Sequence, residues 1–311
     1  MKVLSNKYLS TIFRIVIGLV FVASAILKYL SIDIFDLFVF EHNLFSISLT
    51  ETLTRLLITA EFVLGIMLIF NIHAKIAYYT VLGFLAGFTI YLSLLPYLFD
   101  VDITNCHCFG NAVVLSRTES IAKNVILLIC MLFVSPKYYT RKKWETWLVI
   151  ALSTVAFITC ICINAPNYIY TMVHKENIQI DVPMYQSALL NSGKQEEFTN
   201  GKQLICMYSV GCRYCKRAAI KLHLMLKNNQ LPEDYVKTVF WKGTPDTVIH
   251  NFFIEQKIAP LDYTTFSLDT FLTITSGSMP VILFSDNGNI VHTANYITLK
   301  EEELFNFLRF E

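Results

Sequence analysis

Ser209-Val210-Gly211-Cys212-Arg213-Tyr214-Cys215-Lys216 joins a short β-rich apolar run over 203–209 to a stretch of helical spacing over 216–227. In that stretch Ala219, Leu222 and Leu226 recur along one face, with Lys and Arg elsewhere. A Cys-x-x-Cys pair placed where a strand turns into a helix tunes thiol chemistry. Cys212 falls beside unpaired backbone N–H groups at the positive end of the helix dipole, which favours its thiolate. Cys215 lies one turn deeper, where it can resolve a mixed disulfide. Arg213, Lys216 and Arg217 add positive charge nearby. Cys206, inside the strand, reads as a small core residue.

Working outward, a second strand is predicted over 236–241 and a helix over 245–257 with Val248, Phe252 and Phe253 facing inward. Strands over 281–284 and 290–294 are joined at Asp286-Asn287-Gly288-Asn289, which carries a hairpin signal. An amphipathic helix over 299–308 follows. The order β-α-β-α-β-β-α predicts an α/β sandwich on a small mixed sheet. Upstream, residues 165–200 are polar and aperiodic, with Pro166, Pro183, Asn191-Ser192-Gly193 and Glu196-Glu197. They read as a linker with room for one short strand. As a flexible coil its r.m.s. span is about 30 Å, enough to let the C-terminal domain reach a membrane.

The first half of the chain is of a different kind. Hydrophobic residues make up 54% of the 311 residues, and the mean hydropathy is +0.50, too apolar for an ordinary soluble enzyme. A net charge of +1 gives no reason to expect a nucleic-acid partner. Five apolar stretches, 12–30, 53–70, 76–95, 121–134 and 147–163, are candidate membrane spans, the fourth of them short. Lys2, Lys7 and Arg14, then His73 and Lys75, then Lys137, Arg141, Lys142 and Lys143 mark alternate loops as basic, whereas 33–51 and 100–102 are acidic. This bias predicts a cytoplasmic N-terminus, an aromatic belt of Tyr138, Tyr139, Trp144 and Trp147 on that side, and everything after residue 163 outside. A cleaved leader ending near Ala23-Ser24-Ala25 is the rival reading; it leaves an even number of spans and breaks the charge asymmetry.

A second cysteine pair, Cys106-His107-Cys108-Phe109-Gly110, precedes the fourth expected span on the outer side, in the same compartment as Cys212 and Cys215. A disulfide between residues two apart closes a small strained ring, and strained or exposed disulfides are labile. Eight cysteines so unevenly placed do not make a stapled scaffold. No second Cys/His cluster completes a tetrahedral set with His107, so no metal is expected. Cys130, Cys160 and Cys162 fall within spans and read as packing residues. Glu61 lies within the second span at about the depth where Lys28 ends the first. A Glu61–Lys28 pair is expected there, either structural or tuning the nearby cysteines.

The segment 209–216, with Ser278-Met279-Pro280-Val281 about 65 residues beyond it, resembles a thioredoxin-like domain over 201–311. That resemblance implies a cis peptide at Pro280 beside the active cysteines and a substrate-docking backbone at Met279. Two departures stand out: Gly211 replaces the usual Trp, and Arg213-Tyr214 replace Gly-Pro. Since the intervening dipeptide helps set reduction potential, the pair is not placed between reductant and oxidant. The first half resembles MauE and DoxX-like membrane proteins over 11–136. The matching pieces are residues 21–28, Glu61 with Gly65, and the Cys-x-Cys-Phe-Gly segment, in which His107 replaces the usual Gly. This family is linked to disulfide handling during maturation of exported proteins.

The expected organisation is a helical membrane bundle of about five spans over 1–164, a linker over 165–200 and an α/β thioredoxin-like domain over 201–311. The expected function is a bacterial inner-membrane thiol–disulfide oxidoreductase with a periplasmic soluble domain. It would relay electrons between Cys106/Cys108 and Cys212/Cys215 and act on thiol or disulfide groups of exported proteins. No cofactor beyond the redox-active cysteines is expected; a quinone suits the membrane location, but no residue pattern supports one. A fusion like vitamin K epoxide reductase with thioredoxin is an alternative. That family needs a membrane Cys-x-x-Cys and a pair in the first external loop, and loop 28–52 has no cysteine. A non-catalytic maturation factor that tethers one client is the other alternative.

Overall fold

The computed structural model describes residues 7–99, 106–111, 113–135, 143–174 and 178–309. The chain divides near Pro166 into two compact units. Lys2, the acidic stretch 100–102 and Lys137, Tyr138, Tyr139, Arg141 and Lys142 lie outside the described residues.

The first unit contains α1 (Lys7–Leu30), α2 (Ile32–Phe40), α3 (Ile47–Phe70), α4 (Ala74–Phe99), β1 (Cys108–Asn111), α5 (Arg117–Met131) and α6 (Trp144–Ile163). Among the described residues, α1, α3, α4 and α6 are long and apolar enough to cross a membrane. The 24 residues of α1 make a rod of about 36 Å, against a hydrocarbon core of about 30 Å. The fourth expected span, 121–134, is the exception. α5 has 15 residues, about 22 Å, which is too short. Its Ser116 cap forms a capping box with Glu119, and in the non-helical chain before it Cys106, Cys108 and Gly110 are buried while Val113 and Val114 are exposed. Irregular backbone is tolerated at membrane depth when protein surrounds it.

The bundle closes because α1 and α3 touch backbone to backbone. A Cβ on Gly18 would lie 2.8 Å from the Gly65 carbonyl oxygen, and one on Gly65 equally close to that of Gly18. Ile17, Phe21, Leu64, Leu68, Val81 and Met131 pack around this contact. Arg14 donates from α1 to the carbonyls of Leu68 and Ile69 in the last turn of α3. The region 33–51, expected as an acidic loop, holds α2 and the first turn of α3 instead. Asp36 is buried and bonded by Arg55 at 2.7 Å and by the Thr54 hydroxyl. Its charge is compensated by a neighbouring helix, so acidity there did not mark a loop.

The second unit contains α7 (Asn167–Val173), α8 (Val182–Ser192), α9 (Gln195–Thr199), β2 (Lys202–Met207), α10 (Arg213–Asn228), β3 (Val236–Trp241) and α11 (Asp246–Glu255). It continues with β4 (Tyr263–Phe266), α12 (Leu268–Thr275), β5 (Val281–Asp286), β6 (Asn289–Ala294) and α13 (Glu301–Arg309). The sheet runs β4-β3-β2-β5-β6. β2, β3 and β4 are parallel, while β5 pairs antiparallel with β2 and β6. Asn287 and Gly288, both left-handed at φ 47° and 82°, turn the hairpin that Asn-Gly predicts. The expected order holds with one addition: β4 and α12 are inserted before β5. The fold is thioredoxin-like.

Within the expected linker 165–200, residues 178–200 are folded onto the second unit. Asp181 caps α8 by accepting the Met184 N–H, and Gly193 closes it in the left-handed conformation. Tyr185 and Leu189, one turn apart on α8, are buried with Phe198 against Ile205, Met207 and Leu283 of the sheet. α8 and α9 belong to the core of the second unit.

Candidate redox sites

In the soluble unit the two central strands end together, Met207 of β2 opposite Val281 of β5. From that end the chain after β2 crosses to Cys212, the N-cap of α10, and the cis peptide Met279–Pro280 immediately precedes β5. Cys212 and Pro280 thus leave the sheet from the same edge of adjacent strands. Met279 is half-buried, while Gly211, Arg213 and Tyr214 form an exposed rim around the half-buried Cys212.

Cys212 Sγ accepts the backbone N–H of Cys215 at 3.2 Å, and the fully buried Cys215 Sγ accepts that of Ser209 at 3.5 Å. The Cys215 thiol, followed by the N–H groups of residues 215 and 214, pulls the Cys212 thiol down to about 6 against the cost of partial burial. The same thiol–thiolate bond and burial push Cys215 well up. Cys212 is thus the more acidic and more accessible sulfur of the pair, and Cys215 the buried, protonated one. Hydrogen bonds lower Cys212, not the basic residues expected to do so. Lys216 is engaged by Glu255 at 2.7 Å, and Arg217 lies over the Tyr214 ring. Burial holds Cys206 up at about 12, the state of an inert core thiol.

In the membrane unit Cys106 and Cys108 sit in a tight hairpin. His107 is left-handed at φ 50° and Gly110 at φ 58°, and the Gly110 N–H bonds the His107 carbonyl. Histidine is among the few residues with a side chain that tolerate this region, which explains how it stands where glycine is usual. Gly110 admits no substitute. A Cβ would lie 2.2 Å from Ser31 Oγ and 2.3 Å from the Leu27 carbonyl of α1. The His107 ring packs on Phe38 of α2 with centroids 5.0 Å apart.

Both thiols are free and buried. Cys106 Sγ accepts the Cys108 N–H at 3.4 Å and lies 2.6 Å from Ser120 Oγ. The Ser24 hydroxyl bonds the Cys108 carbonyl at 2.7 Å and reaches Glu61 Oε2 at 3.2 Å. Lys28 Nζ lies 2.5 Å from Glu61 Oε1, and the Lys123 ammonium covers the Phe109 ring at 4.7 Å. Ser24 figures in the sequence only within 21–28 and the rival leader site, and Ser120, Lys123 and Asn124 carry no signal of their own. The capping box at Ser116 and Glu119 marks only where the helix of those three begins.

No group of three or more His, Cys, Asp or Glu side chains that could hold a metal occurs among the described residues. Residues 6–136 match the family described as Methylamine utilisation protein MauE. Protein TlpB of Flavobacterium psychrophilum is 26% identical over 353 aligned residues, covering 96% of this chain and 94% of the relative. No solved structure matches the chain. The chain is a multi-pass membrane protein in which residues 6–136 match the MauE family, followed by a thioredoxin-like domain.

Proposed function

We propose that this protein is a membrane-bound thiol–disulfide oxidoreductase that exchanges electron pairs between Cys106/Cys108 and Cys212/Cys215, and through the latter with exported proteins. The observation that carries the reading is the asymmetry of the soluble pair: an activated, accessible Cys212 backed by a buried, protonated Cys215. Cys212 thiolate attacks a disulfide and forms a mixed disulfide while one thiolate leaves. Cys215 then displaces the second sulfur, leaving Cys212–Cys215 oxidised and the partner reduced. The reverse steps oxidise a dithiol. The Lys/Arg bias supports a bacterial inner-membrane location with a cytoplasmic N-terminus and the soluble unit in the periplasm.

The test replaces both Cys106 and Cys108 by Ser and follows the redox state of Cys212/Cys215 in cells by thiol trapping. The soluble pair is expected to lock in one redox state while the purified protein still turns over added dithiol or disulfide. An unchanged cellular redox state means the pairs do not exchange electrons.

A further inference from the structure

Below the Cys106/Cys108 hairpin lies a cavity of about 30 Å³, walled by Ser24 and Lys28 of α1, Glu61 of α3, Lys123 and Asn124 of α5, and Cys108 itself. α4 supplies only apolar wall. The volume is enough for a water molecule. Asn124 is 1% exposed and its Nδ2 has no hydrogen-bond partner in the structure, so the cavity carries an unsatisfied donor. Glu61 is oriented twice, by Lys28 at 2.5 Å on one oxygen and by Ser24 at 3.2 Å on the other. The same Ser24 hydroxyl holds the Cys108 carbonyl. A single side chain thus ties the carboxylate to the backbone of the thiol. A buried ion pair within a span is costly and is weak evidence of a stabilising role.

We propose that Glu61 takes up the proton of the Cys108 thiol, through water in this cavity, when the Cys106/Cys108 pair is oxidised, and returns it when the pair is reduced. The proposal rests on reading that pair as redox-active. Cys106, as the thiolate that accepts the Cys108 N–H beside the Ser120 hydroxyl, attacks an incoming disulfide and expels its first thiolate. Cys108 then loses its proton to Glu61 and attacks Cys106 Sγ. The Cys106–Cys108 bond forms, the mixed disulfide breaks, and a second thiolate leaves. Two electrons pass to the incoming disulfide, and one proton is stored on Glu61. Protonating Glu61 frees the Lys28 charge to face the new thiolate. The charged and titratable groups sharing the cavity with Glu61 are Lys28, Lys123 and Cys108.

The experiment uses the full chain in detergent, with every cysteine except Cys106 and Cys108 replaced by Ala and a chromogenic aryl disulfide as probe. Release of the first aryl thiolate reports attack by Cys106; release of the second reports resolution by Cys108. Glu61→Gln keeps hydrogen-bonding capacity toward Ser24 but cannot accept the proton. It is expected to leave the first release within about twofold and to slow the second at least about tenfold at neutral pH. The slowed step should recover in proportion to hydroxide as pH rises, and Glu61→Asp should restore most of the rate. A second release in Glu61→Gln within about twofold of the parent, or an Asp variant as slow as Gln, overturns the proposal. Should the variants not fold, infrared difference spectra of the parent decide: a protonated carboxyl band growing with the second release supports it, and a flat carboxyl region refutes it. If the parent shows no first release at all, the redox reading of the pair falls, and this proposal with it.

Discussion

Replacing Cys215 by Ala tests the cause assigned to the reactivity of Cys212. With Cys212 lowered to about 6, about nine-tenths of it is thiolate at pH 7, against about 1% for an ordinary thiol near 9. The largest cause is the Cys215 thiol, and a hydrogen bond to a charged acceptor contributes about 1.5–3 kcal/mol. At 1.36 kcal/mol per pH unit, removing it should raise the midpoint by roughly 1–2 pH units. The N–H groups of residues 215 and 214 remain and keep the midpoint below that of a free thiol. Alkylation of the Cys212 peptide, read by mass spectrometry against pH on the reduced full chain, should slow about two- to tenfold at pH 7 and be unchanged above pH 9.5. Cys215→Ser retains an O–H donor and should move less. Lys216→Gln should leave the midpoint in place, because Lys216 faces Glu255. Because the folded-state value is depressed, the thiolate's stabilisation of the reduced protein is complete above about 9 and is lost as pH falls through about 6. A midpoint unmoved by Cys215→Ala, or one moved by Lys216→Gln, would refute the hydrogen-bond account in favour of the helix terminus or surface charge.

Other substitutions probe the scaffold. Gly110→Ala forces a Cβ to within 2.3 Å of the Ser31 hydroxyl and the Leu27 carbonyl at a left-handed residue and should cost at least about 3 kcal/mol. Thermal unfolding of the detergent-solubilised chain checks this, with Gly83→Ala, which meets open space, as the neutral control. A soluble fragment beginning at residue 178 should give a sharp unfolding transition, whereas one beginning at 201, lacking Tyr185, Leu189 and Phe198, should not; equal transitions would mean α8 and α9 are dispensable. In intact cells, reduced Cys212 should react with a membrane-impermeant maleimide and a cysteine at Lys143→Cys should not; the opposite pattern inverts the proposed topology.

What was legible in the sequence depended on whether the signal was local. Cys212 at a strand-to-helix junction and the Asn287-Gly288 turn are short-range patterns, and both stand in the structure as expected. The helix over 182–192 was equally local but misread. Pro183 was taken as a breaker, although proline in the first turn of a helix is favoured, and Gly193 as loop, although it is a left-handed stop. Tyr263-Thr264-Thr265-Phe266 consists of β-formers, yet it is only four residues long and was passed over. Near the membrane cysteines the Glu61–Lys28 pair was legible from its depth in two spans and stands in the structure. The bond from Ser24 to the Cys108 carbonyl was not, because the two residues are 84 positions apart in the chain and meet only in the folded bundle.

The two cysteine pairs share one local device and differ in access. In each, the first sulfur accepts the backbone N–H of the second cysteine, at 3.4 Å for Cys106 and 3.2 Å for Cys212. That bond favours the thiolate of the first residue in both settings. Burial then separates their roles. Cys212 is half-buried behind an exposed rim of Gly211, Arg213 and Tyr214, while Cys106 and Cys108 are only 1% and 2% exposed. A folded client cannot reach sulfurs enclosed to that degree, so exchange at them requires a local opening of the hairpin that carries His107. Glycine at 107 would remove the ring packed on Phe38 at 5.0 Å and give the opened turn more conformational freedom, which together outweigh the strain it relieves in the closed turn. His107→Gly should therefore leave the rates of Cys212 unchanged and raise the rate at which a small aryl disulfide reaches Cys106 by a few fold. A rate at Cys106 that is unchanged or lower would mean that access is set by the surrounding helices rather than by the turn.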